Sequence, residues 1–158
     1  MFDRLVTLLQ ERNARFRIVE HLPEGRSDLV ARIRGTAPGQ GAKAMLCKSK
    51  DGSGKLVLAV LPGDRKLDFR KVAQAAGLGK VTLASADEAM QATGCAIGAI
   101  PPFTFSANIR LVVDPALVES WSEIAFNAGR LDRSMVLDSR DYLRIAEPLL
   151  RPISADAG

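Results

Sequence analysis

The sequence predicts a single compact mixed α/β domain of the α+β kind, with a mixed, mostly antiparallel sheet and flanking helices. Three observations lead there. Along the chain the apolar pattern switches repeatedly between a period of about two residues, as in strands, and about 3.6, as in helices. The run Lys55-Leu56-Val57-Leu58-Ala59-Val60-Leu61 is apolar on both faces, as a covered central strand must be. A chain of 158 residues can bury one core and is too short for two full ones. The domain is expected over residues 1–150, with 151–158 as a flexible tail.

Each element has its own warrant. Leu5, Leu8 and Leu9 form a helical stripe in the first segment, and Phe16–His21 reads as a strand that ends at Leu22-Pro23. Ser27 is the expected N-cap of a helix burying Leu29, Val30 and Ile33, with Gly35 past its end. Residues 36–41 form a loop, and residues 42–48 and 55–61 are strands joined by the turn Asp51-Gly52-Ser53-Gly54. Asp68 caps a helix that packs Phe69, Val72, Ala73 and Ala76 and stops at Gly77. After a short strand at Val81–Leu83, Ser85 and Glu88 have the spacing of a capping box, so a helix runs through Ala89, Met90 and Thr93. Short strands follow at Ile109–Val113, Ser122–Phe126 and Ser134–Leu137, then a final helix at Asp141–Glu147.

Composition narrows the function classes. Hydrophobic residues at 47% and charged residues at 25% describe an ordinary soluble globular protein. No apolar run reaches membrane-spanning length and the N-terminus is amphipathic, so a cytoplasmic protein with no membrane partner is expected. Cys47 and Cys95 are far apart with apolar neighbours, which reads as two reduced, packed thiols rather than metal ligands. The net charge of +4 permits an anionic partner without requiring one.

The chemistry concentrates in two places. Lys43 lies on a strand, where a cation can hold a carbonyl or phosphate oxygen, and a partly buried lysine is costly unless a ligand or carboxylate meets it. About fifty residues later the loop Thr93-Gly94-Cys95-Ala96-Ile97-Gly98-Ala99-Ile100-Pro101-Pro102-Phe103 can bring backbone N–H groups close to the same ligand. Read blandly, these are a strand-end lysine with its head in water and a tight connection whose glycines only turn the chain. Asn127-Ala128-Gly129 is a second small-residue turn, and His21 is the sole histidine, at a strand end. No P-loop, dinucleotide fingerprint, nucleophile elbow, paired-carboxylate signature or Cys/His metal cluster is visible, so neither metal nor cofactor is expected.

In their order and spacing, six features together resemble the YbaK/ProX family, free-standing relatives of the editing domain inserted in bacterial prolyl-tRNA synthetases. They are His21, the Ala42-Lys43-Ala44-Met45 strand, Ala59 through Asp68, Leu83-Ala84-Ser85, the Thr93–Pro102 loop and Asn127-Ala128-Gly129. The likeness runs from about residue 16 to residue 145. It implies a trans-editing deacylase that hydrolyses the ester of a mischarged tRNA carrying a small amino acid such as Ala, Ser or Thr, with a bound water attacking and the terminal ribose assisting. Lys43 would then hold the substrate's carbonyl or terminal-adenosine oxygens. Gly94, Gly98 and Pro101 would wrap the aminoacyl group, with Gly129 at the second turn and His21 lining the pocket. Thr93 and Asn127 could meet a serine or threonine hydroxyl. The implied partners are the tRNA acceptor end and an aminoacyl-tRNA synthetase.

Two departures stand out. Many relatives have one proline closely followed by glycine, where this chain has Pro101-Pro102-Phe103-Thr104-Phe105, so a differently shaped pocket floor is expected. The loop from Arg34 to Gly41 is also longer than in some members. A non-catalytic module binding tRNA, a nucleotide or a synthetase is the alternative reading.

Overall fold

The structure, a computed structural model, describes residues 1–156. Helix α1 (Phe2–Glu11) buries Leu5 and Leu9, and β1 (Phe16–Glu20) follows. Helix α2 (Ser27–Arg34) ends at left-handed Gly35, and a 3-10 turn at Pro38–Gln40 leads into β2 (Ala42–Ser49). After β3 (Leu56–Pro62), α3 (Phe69–Ala76) starts at Asp68, whose carboxylate accepts from the Arg70 and Lys71 amides. Strand β4 (Val81–Leu83) precedes α4 (Ala86–Thr93), where Ser85 and Glu88 form both bonds of the capping box. Then come β5 (Ile109–Val113), α5 (Pro115–Ser120), β6 (Glu123–Asn127), β7 (Arg133–Asp138), α6 (Ser139–Ala146) and β8 (Leu149–Leu150).

The strands form two sheets rather than one. The order β1-β7-β6 is antiparallel throughout, and β4-β2-β3-β5-β8 is mixed, with β3–β5 and β5–β8 parallel. A single parallel bridge from Gly41 to Ala125 joins them. Strand β3 is central, as its two apolar faces require. Leu58 and Val60 point into the larger core with Leu5, Leu9, Phe126, Met135 and Tyr142. Val57, Ala59 and Leu61 pack on the other face against Val72 and Ala73 of α3.

Several local expectations are corrected. Ser27 is the first residue of α2, not its cap; Arg26 holds the cap position and no side chain caps there. Val30 and Ala31 carry the burial of α2, whereas Ile33 is 45% exposed. Phe69 is likewise on the outer side of α3. Helix α5 was not expected, although Asp114 caps it and Pro115 opens it. The final helix begins two residues early, at Ser139. Residues 151–156 are docked rather than loose: Ile153 is fully buried, and Asp114 Oδ2 accepts from the Ile153 and Ser154 amides at 3.0 Å each and from Ser154 Oγ at 2.7 Å. Residues 157 and 158 of the expected tail lie outside the described residues.

Candidate active site

Strand β4 pairs only with Cys47, Lys48 and Ser49, so it stops short of the first half of β2. A cavity of about 180 Å³ opens beside that uncovered stretch. Four elements wall it: α2 through Ser27, Val30 and Arg34; β2 through Ala42–Met45; the loop after α4 through Ile97 and Gly98; and β6 through Ala125 and Asn127. Lys43, Gly98 and Asn127 thus meet at one site, although they come from distant parts of the chain.

Asn127 holds two walls together. Its Nδ2 donates to the carbonyls of Glu24 and Gly98, both at 2.8 Å, so its two amide protons are committed to backbone. Its Oδ1 accepts from Ser134 Oγ at 3.0 Å. His21 Nε2 lies 2.7 Å from the same Ser134 Oγ, and His21 Nδ1 lies 2.8 Å from the Leu22 carbonyl. His21 therefore stands behind the wall and acts on it through Ser134 and Asn127. Between the clamped loops the backbones touch. A Cβ on Gly98 would lie 2.9 Å from Gly25 Cα, and φ there is +87°, so only glycine fits without strain.

The site is cationic. Lys43 Nζ donates to the Arg65 carbonyl in the turn after β3. Burial lowers the Lys43 pKa, and the nearby Asp64 carboxylate partly opposes this. Arg34 also lines the cavity, and burial holds its pKa down to about 10. Its Nε and Nη1 are buried without a hydrogen-bond partner among the described residues. Among the described residues, no carboxylate, cysteine or histidine lines the cavity.

The remaining expected residues lie elsewhere. Thr93 and Pro101 line a second cavity of about 150 Å³ beside Met1, Arg4 and Phe105. The Thr93 hydroxyl is already used, donating to Ala89 O at 2.7 Å and accepting from the Cys95 amide at 3.1 Å. Gly94 is the left-handed residue that ends α4. Gly129 donates its N–H to Ala99 O at 2.9 Å and packs against Met1, bracing the loop from behind. The Pro101-Pro102-Phe103 segment is an anchor below the loop: Phe103 is buried edge-on against Phe126 and Tyr142, and Tyr142 Oη donates to the Pro102 carbonyl at 2.6 Å. Among the described residues, no group of three or more His, Cys, Asp or Glu gathers as a metal site would need.

Sequence reasoning missed Ser27 and Arg34. Their signal was the spacing Ser27, Val30, Arg34, which puts a hydroxyl, an apolar group and a cation on one helix face.

A lysine and a glycine loop at one small cationic cavity make a site of the kind that can hold an acyl or phosphate-bearing ligand. Residues 25–145 match the profile of the aminoacyl-tRNA editing domain, and the chain belongs to that family. This bears out the resemblance to the YbaK/ProX group. The chain is 49% identical over 149 residues, 94% of its length and 89% of the relative's, to the multifunctional Ser/Thr-tRNA deacylase ProXp-y of Escherichia coli (strain K12). It is 28% identical over 104 residues, 66% of this chain and 18% of the other, to a proline–tRNA ligase of Trichlorobacter lovleyi. A solved structure described as a candidate trans-editing enzyme for prolyl-tRNA synthetase superposes with a TM-score of 0.82 at 20% identity, covering 98% of this chain and 97% of that one; this likeness bears on the fold. Among the described residues, no helix is long and apolar enough to cross a membrane.

Proposed function

We propose that this chain is a trans-editing deacylase that frees serine or threonine from mischarged tRNA, using Lys43 at the ester. One observation carries the reading: in an aminoacyl-tRNA editing domain, the Lys43 strand and the Gly98 loop wall the same cavity. A water oxygen adds to the ester carbonyl carbon. The bond to the ribose oxygen then breaks, and the water's proton passes to that oxygen with help from the neighbouring ribose hydroxyl. The Lys43 ammonium, now parked on the Arg65 carbonyl, turns to the substrate's carbonyl or ribose oxygens, where negative charge develops. Backbone N–H groups of the Gly98 loop are the further donors.

The 49% identical relative, named for serine and threonine, supports those two substrates. Asn127 has no amide proton to spare and Thr93 faces the other cavity, so Ser27 on α2 is the side chain placed to meet the substrate hydroxyl. A site built to hydrogen-bond a hydroxyl rejects the analogue lacking it far more strongly than an apolar pocket rejects a missing methylene. The proposal extends to the cytoplasm as compartment and to a synthetase as partner, the latter supported by the proline–tRNA ligase relative.

The test is loss of the ester from tRNAs carrying alanine, serine, threonine, cysteine or proline, with the wild-type protein and Lys43→Ala. Removing one donor to developing charge is expected to cost about 10²–10³ in rate, with the fold intact. Full activity in Lys43→Ala would remove this lysine from the mechanism. Protection of every ester without turnover would make the protein a binding module.

A further inference from the structure

The deacylase reading leaves Arg34 without a role, yet its position is costly. It lies in the last turn of α2, on the face shared with Ser27 and Val30. Its guanidinium faces the start of the lysine strand: a Cβ on Gly41 would stand 4.0 Å from Nη1. Among the described residues, two of its nitrogens are buried without an acceptor and no carboxylate lines the cavity. Arginine has five donors, no acceptor and a charge it does not give up, so burial without a counter-charge is unfavourable. Lys43 adds a second cation to the same cavity, its charge only partly offset by the nearby Asp64 carboxylate. Such a site gains most from a ligand that brings a negative charge into it.

An aminoacyl-tRNA offers one kind of anion near its reacting end. The ester is uncharged and the amino acid's ammonium is repelled by a guanidinium. The phosphodiesters of the acceptor strand are negative, and a phosphate's paired oxygens match the planar donor fork of arginine. We propose that Arg34 is the phosphate anchor of this site. It binds the phosphodiester on the 5′ side of the terminal nucleoside, while Lys43 works at the ester. This rests on the deacylase reading and adds the contact that sets where the terminal nucleotide lies. The guanidinium charge is delocalised, so a phosphate accepting from any one nitrogen offsets it.

The experiment compares wild type, Arg34→Gln and Arg34→Lys on the 3′-seryl esters of adenosine and of adenosine 5′-monophosphate, and on seryl-tRNA. Wild type should show a KM several-fold lower for the phosphorylated ester. Arg34→Gln should lose that advantage, keep its kcat and match wild type on the adenosine ester, with Arg34→Lys between them. On seryl-tRNA, the slope of log(kcat/KM) against log salt should be about 0.7 shallower in Arg34→Gln, the value for one single-strand phosphate contact. Equal losses on both esters, or no preference in wild type, would overturn the anchor. If wild type hydrolyses none of the three, the deacylase reading fails and the anchor is judged by binding alone. In that case adenosine monophosphate, but not adenosine, must raise the melting temperature of wild type and not of Arg34→Gln. Equal shifts with the two compounds, or none, would reject it.

Discussion

Asn127→Ala is the sharpest test of how the pocket is built. The side chain is 5% exposed and makes three hydrogen bonds, to Glu24 O, Gly98 O and from Ser134 Oγ. Truncation leaves two carbonyls and one hydroxyl without their partner. At a net 0.5–1.5 kcal/mol for each bond, the loss should be about 3 kcal/mol. For a domain of this size each kcal/mol is worth about 2–4 °C, so melting should fall by about 6–12 °C. Urea unfolding followed by the fluorescence of Trp121, the sole tryptophan, measures this directly. Activity should fall for alanyl, seryl and threonyl esters alike, since the Gly98 wall moves whichever substrate is bound. Destabilisation below about 0.5 kcal/mol, together with a loss confined to hydroxylated substrates, would refute the clamp and make Asn127 a substrate contact. Asn127→Asp is the matched control. It keeps the acceptor for Ser134 but turns a carboxylate oxygen toward two carbonyls, so it should be no more stable than the alanine variant at neutral pH.

Two other perturbations separate local causes. Gly98→Ala should raise KM and cost about 1–2 kcal/mol from the left-handed backbone alone; its Cβ would also meet Gly25 backbone at 2.9 and 3.0 Å. Gly25→Ala should be milder, because its tightest contact, at 3.3 Å, is the movable end of the Leu131 side chain. A kinetic and melting comparison of the two variants checks the order. The Ser85 amide and then Lys48 hold the Glu88 pKa down to about 2, so the unfolded chain takes up this proton first as pH falls. Its contribution is complete above the usual glutamate range and is lost on descent toward pH 2. Glu88→Gln should therefore flatten the acid limb of a stability–pH curve, while an unchanged limb would assign that limb to other carboxylates.

What could be read in the sequence follows the range of the forces involved. The Ser85/Glu88 box, the Asp68 cap and the two-faced apolar run of β3 are set by neighbours in the chain, and each forms as expected. The division into two sheets depends on β1 pairing with β7 across most of the chain, which no local pattern encodes. The role of residues 151–156 was hidden because Pro148 and Pro152 punctuate the segment, yet Asp114, just after the neighbouring strand β5, tethers Ile153 and Ser154. At the site, Lys43 and Gly98 were legible because strand alternation and glycine punctuation are local. Thr93 and Pro101 neighbour Gly98 in sequence, but the chain reverses at Gly94 and Gly98 and turns them to the second cavity. Arg34 has no local signature of a role, since a cation in the last turn of a helix is ordinary there. Only the packing of α2 over β2 shows two of its nitrogens to be buried without a partner among the described residues.

The site divides its labour between groups that can be told apart by two measurements. Lys43 bonds one backbone carbonyl in a turn, so its loss should affect the rate and hardly the fold. Asn127, Ser134 and Gly98 hold the walls, so their loss should affect both together. Arg34 is the informative case, because removing a half-buried charge, two of whose nitrogens are buried without a partner, relieves a strain in the free protein while deleting a contact to the substrate. Plotted as lost transition-state stabilisation against lost folding stability, Lys43→Ala should lie on the first axis and Asn127→Ala off both. Arg34→Gln should fall on the stabilised side. An Arg34→Gln variant that lost stability instead would show that the guanidinium already has a compensating partner in the free protein, and the argument for an incoming anion would lose its basis.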